Sequence, residues 1–115
     1  MKLQEIDKAI LDYEDVMQRF MNNEGLLRRV LQKFMEDESF AHLKEALEQK
    51  DVEQAFKEAH TLKGLAANMS MVELAQVASD MTELLRSKEY EAAVEKLPLL
   101  EEVYQRIVEI VKNVE

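Results

Sequence analysis

A chain of 115 residues and 13.4 kDa has room for one domain, and its 47% hydrophobic and 34% charged residues exclude a disordered polymer. Two Gly and one Pro are too few turn residues for an all-β fold, and the absence of Cys excludes disulfides, thiolate metal sites and cysteine nucleophiles. A net charge of −9 repels phosphate backbones and anionic lipid, so the expected partner is a protein rather than nucleic acid or a membrane.

Apolar residues recur with a helical period from end to end. Leu3, Ile6 and Ile10, then Tyr13, Met17, Phe20 and Met21, stand at spacings of three and four, with Asp12 placed as a cap. Residues 1–22 are therefore expected to form one or two short leading helices. After Asn22 and Asn23, which are capping types, Leu27, Val30, Leu31 and Phe34 make one stripe. Phe40, Leu43 and Leu47 continue it on a rotated phase, which predicts a bend or break near Asp37 to Ser39.

Asp51 with Gln54 reads as the cap of a helix over 52–69, whose stripe is Ala55, Ala59, Leu62, Ala66 and Met69. Ser70 with Glu73 has the pattern of a capping box for the next helix, lined by Leu74, Val77, Ala78, Met81, Leu84 and Leu85. The last helix is expected from Glu89 to Asn113, burying Ala93, Leu97, Leu100, Tyr104, Ile107, Val108 and Val111, with a kink at Pro98. Short connections make the four long segments antiparallel neighbours. The fold class is all-α: an up-down-up-down four-helix bundle over 23–114 preceded by the leading helices, within one domain of 1–115. No run of about 18 apolar residues is present and the start MKLQEIDK is not a signal peptide, so a soluble, cytoplasmic monomer is expected.

Only two histidines are available. His42, between an Ala and a Leu in a charged stretch, reads as a surface residue without a role. His60 lies about 140° from the centre of its helix's apolar arc and should face solvent, where a large neutral fraction makes imidazole a nucleophile near neutral pH. Lys63, one helical row along, suits stabilisation of an anion carried on His60. Gly64 sits mid-helix, where glycine costs about 1 kcal/mol relative to alanine. Together with the small Ala67, it either clears an approach to the imidazole or makes a helix-packing contact.

The segment His60-Thr61-Leu62-Lys63-Gly64 with Ala66, Ala67 and Asn68, inside an all-helical chain of this length, resembles the signature of histidine-containing phosphotransfer (HPt) domains of two-component phosphorelays. The resemblance extends over the leading segment with Phe34, the following helix through Arg86 and the final long helix. It implies that His60 is phosphorylated on Nε2, that Lys63 steadies the phosphoryl charge, and that Gly64 admits a docking receiver domain, with Ala67 and Arg86 on the same face. Two positions depart from the pattern near the motif: Leu65 replaces a small residue and Ser70 replaces a frequent glycine. Leu65 either packs sideways into the core, the preferred reading, or adds an apolar contact for the receiver. Thr82 stands where relatives often carry Glu or Gln on the next helix, which puts in question the orienting hydrogen bond that the resemblance implies for the histidine.

The implied function is a phosphocarrier between aspartates of response-regulator receivers, with a hybrid sensor histidine kinase as a further partner. The chain lacks a Gly-rich phosphate loop or nucleotide motif for kinase activity and holds no cofactor; Mg²⁺ is expected from the receiver. A carboxylate-bridged metal bundle would need Glu-x-x-His pairs, but Ser39 precedes His42 and Lys57 precedes His60 at that spacing. The remaining alternative is a helical adaptor that binds a receiver without phosphorylation. The start at Met1 favours a stand-alone carrier over a piece of a hybrid kinase.

Overall fold

The computed structural model describes residues 1–115. A 3-10 turn at Leu3–Glu5 is followed by six helices: α1 Tyr13–Arg19, α2 Glu24–Glu36, α3 Ser39–Glu48, α4 Val52–Asn68, α5 Val72–Arg86 and α6 Tyr90–Lys112. There is no strand. Helices α4, α5 and α6 and the bent pair α2/α3 form the antiparallel bundle, 40 Å along its principal axis. The bend falls where the hydrophobic phase rotates. Asp37 leaves the helical region with ψ 138°, and its Oδ1 accepts the Ser39 N–H at 2.8 Å to start α3.

Local chemistry sets the other helix starts. Asp12, Asn23 and Asp51 each accept a backbone N–H three residues on, from Asp15, Leu26 and Gln54. The connections after α3, α4 and α5 are three residues long and share one geometry. Lys50, Ser70 and Lys88 take φ of 58°, 54° and 59°, and the next amide in each case bonds back to the third-last helical carbonyl, at Ala46, Ala66 and Leu84. These are Schellman closures made without glycine, at a cost of about 1 kcal/mol per left-handed residue.

That geometry corrects the expected capping box at Ser70. A residue at φ 54° closes α4 and cannot occupy the extended cap position of α5, which falls to Met71 with no side-chain cap. The Ser70 hydroxyl instead donates to Asp15 Oδ2 at 2.5 Å, and the Glu73 carboxylate pairs with Arg106 at 2.8 Å.

The core comprises 26 buried apolar residues. All five expected α4 positions are buried, with Leu62 at its centre, and Ala55, Ala59 and Ala66 let α3 and α5 approach closely. On α6, Val103 joins Ala93, Leu100 and Ile107 in the core, while Leu97, Tyr104, Val108 and Val111 are half-buried. The rings of Phe34 and Phe40 meet Tyr104 from α2 and α3, at 5.7 and 4.3 Å between centroids. The Tyr90 hydroxyl on the Leu47 carbonyl and the Lys44–Glu101 ion pair close the bundle between α3 and α6. Helix α6 runs unbroken through Pro98, whose missing N–H falls on an exposed face.

The leading segment forms one turn and one true helix. It buries Leu11 and Val16, which the spacing pattern passes over, and leaves Met21 89% exposed at φ 55°. It lies on the α4–α5 turn through Asp12 N–H to Ser70 O and Glu73 N–H to Ala9 O.

Candidate functional site

One face of α4 is left open by the bundle. Phe56 and His60 are four residues apart, Lys63 and Gly64 follow His60 at three and four, and Ala67 follows those two at four and three, opposite the buried row of Ala55, Ala59, Leu62 and Ala66. His60, Gly64 and Ala67 are exposed, and Phe56 and Lys63 are half-buried. A Cβ built on Gly64 meets no atom within 4 Å, so its missing side chain relieves no contact inside the chain. This removes the helix-packing explanation of the glycine within the monomer.

Two surface grooves flank His60 along the helix. On the N-terminal side, Val52, Phe56, Leu85, Arg86 and Lys88 border a depression of about 550 Å³. The Arg86 guanidinium lies 4.9 Å from the centroid of the Phe56 ring and pairs with Glu83 at 3.2 Å. On the C-terminal side, Lys63 and Ala67 border a groove of about 370 Å³ with Ala75 and Gln76 of α5 and with Asp15 and Arg19 of α1. The Ser70 hydroxyl and the Arg19 guanidinium beside Asp15 hold its carboxyl below the usual carboxylate range.

The grooves on either side of His60 are lined by Arg86 and Lys88 with Glu53, and by Lys63 and Arg19 with Asp15, in a chain whose net charge is −9. Lys57 pairs with Glu53 at 3.8 Å, whereas the Lys63 ammonium makes no ion pair within the chain. The Lys63 ammonium, three residues along the helix from His60, is therefore free to meet an anion.

Two residues behave differently from the usual pattern around such a histidine. Thr82 is fully buried, and its hydroxyl donates to the Ala78 carbonyl at 2.7 Å, so it offers nothing to the imidazole. Leu65 is half-buried and packs against the core. His42 lies between α3 and α4, 3.5 Å from Glu38 and 3.6 Å from Glu58. No set of three His, Asp or Glu side chains is grouped to hold a metal ion, and no helix is long and apolar enough to cross a membrane.

Phe56, Asp15 and Arg19 were not among the expected site residues. Phe56 is detectable in principle as the i−4 neighbour of His60, whereas nothing local places α1 beside α4. No curated protein and no solved structure gives a significant match to the chain. The family described as the Hpt domain matches residues 26–110, from α2 through α6 and including the whole His60 face. With the all-helical bundle and that match over most of its length, the chain belongs to the Hpt domain family.

Proposed function

We propose that this protein is a histidine phosphocarrier of a multistep phosphorelay, with His60 as the residue that carries the phosphoryl group between receiver-domain aspartates. The observation that carries the reading is the α4 face itself: an exposed imidazole with an unpaired ammonium at Lys63 and open space at Gly64 on the same helical row. In the forward step the Nε2 lone pair attacks phosphorus of an aspartyl phosphate, the P–N bond forms, the P–O bond breaks and the aspartate leaves as carboxylate. The reverse step on a second receiver returns the free imidazole. Lys63 stabilises charge on the transferring oxygens, and Arg86, Lys88 and Ala67 extend the face that meets the receiver.

Transfer of this kind rests on positioning and charge neutralisation. The divalent cation it uses belongs, on this reading, to the receiver, and the chain acts as a cytoplasmic, monomeric carrier without kinase activity of its own. A receiver charged with acetyl phosphate in the presence of Mg²⁺ tests the proposal. A carrier drains the label from the receiver onto itself; an adaptor binds the receiver and leaves the label where it was.

A further inference from the structure

The His60 ring makes no hydrogen bond or ion pair within the chain, and Thr82 on the neighbouring helix is committed to the Ala78 carbonyl. An exposed histidine without a partner is free to populate more than one χ1 well and a broad χ2 range. Side chains on a helix lean toward its N-terminus, so His60 leans over the turn that carries Phe56 and away from Gly64. The two ring centroids are 6.0 Å apart with planes at 46°, within the range of tilted aromatic pairs.

Phe56 is itself fixed. It is half-buried, packs against the core and lies under the Arg86 guanidinium at 4.9 Å, while Arg86 is tied to Glu83. A line of contacts therefore runs from α5 through Glu83, Arg86 and Phe56 to the imidazole.

We propose that Phe56 is a positioning residue for His60. Its ring, braced by Arg86, selects the imidazole rotamer that presents the outer ring nitrogen to the receiver, in place of a hydrogen bond to the inner one. This rests on the reading of His60 as the phosphorylated residue. Confinement to one of the two χ1 wells open on a helix changes the competent population by about twofold, and restriction of the roughly two-fold χ2 raises the effect to about fourfold. The effect falls on the transfer step and not on docking.

Phe56→Leu removes the ring and keeps an apolar side chain; Phe56→Tyr keeps the ring. Side-chain couplings and ring-proton shifts of His60, measured by NMR in the unphosphorylated protein, report its rotamers without any receiver present. Single-turnover transfer from an acetyl-phosphate-charged receiver, with the receiver Kd measured separately, reports the consequence. The proposal expects rotamer averaging in Phe56→Leu, a maximal transfer rate lower by about two- to fourfold with Kd unchanged, and recovery of both in Phe56→Tyr. Arg86→Met, which leaves Phe56 in place, should broaden the His60 rotamer distribution in the same direction, and it decides the matter if Phe56→Leu fails to fold. Unchanged couplings and an unchanged rate in folded Phe56→Leu overturn the proposal while leaving the carrier reading intact, as does a raised Kd at an unchanged maximal rate. Absence of transfer to the wild-type protein overturns the carrier reading, and this proposal with it.

Discussion

Replacing Gly64 separates a surface cleared for a partner from a surface shaped by internal packing. Gly64 lies inside α4 with a helical backbone, and a Cβ placed there meets nothing within 4 Å. Gly64→Ala should therefore gain the full difference in helix propensity, about 0.8 to 1 kcal/mol, and raise Tm by roughly 3 to 5 °C in a domain of this size. Gly64→Gln should gain about half as much, since glutamine ranks a little below alanine in a helix. Its long side chain then projects beside the imidazole, so the affinity for a receiver should fall by on the order of tenfold or more, about 1.4 kcal/mol. Thermal melts of the free protein and receiver titrations, run on both variants, give the two quantities independently. A lower Tm in both variants combined with undiminished receiver binding would refute the reasoning, because it would make Gly64 a packing residue.

Lys63→Ala leaves the surface open and removes the unpaired ammonium, so single-turnover phosphotransfer should slow by on the order of tenfold while receiver Kd changes less. Leu62→Asp puts a charge at a position only 1% exposed in the middle of α4; cooperative melting should be lost, with a cost of roughly 4 kcal/mol or more. Ser70→Ala removes the donor that does most to lower the Asp15 pKa, so the backbone amides of α1 should exchange faster near neutral pH. Because the folded Asp15 pKa is depressed, that stabilisation is complete above the ordinary carboxylate value near 3.8 and is lost as pH falls through the folded value. The difference between wild type and Ser70→Ala should accordingly shrink on acidification below that point.

The bundle was legible because burial and local periodicity coincide in it. Leu62 and its row on α4 are buried where the 3.6-residue period puts them, and the phase rotation between Phe34 and Phe40 marks the break at Asp37. The same geometry that hides that row turns His60, Gly64 and Ala67 outward, so their grouping on one face could be read without a structure. Ser70 misled for a specific reason: its spacing to Glu73 satisfies the capping pattern, but the three-residue connection demands a left-handed residue at that point, and no glycine is there to announce it. Leu11 and Val16 are buried by docking of the leading segment on the α4–α5 turn, and that contact joins residues more than fifty positions apart. The same docking brings Arg19 to the groove beside Lys63. Phe56 belongs to neither category. It lies on no buried stripe, and its importance comes from two neighbours, Arg86 and His60, that become visible together only once α5 is packed against α4.

Site-resolved phosphorylation tests the central claim most directly. The protein should be labelled by an acetyl-phosphate-charged receiver with Mg²⁺, kept alkaline so that phosphohistidine survives, and mapped by mass spectrometry beside His60→Gln and His42→Gln. The account predicts one phosphoryl group on His60 in wild type and in His42→Gln, and none in His60→Gln. Label on His42, or label retained when His60 is replaced, would contradict it.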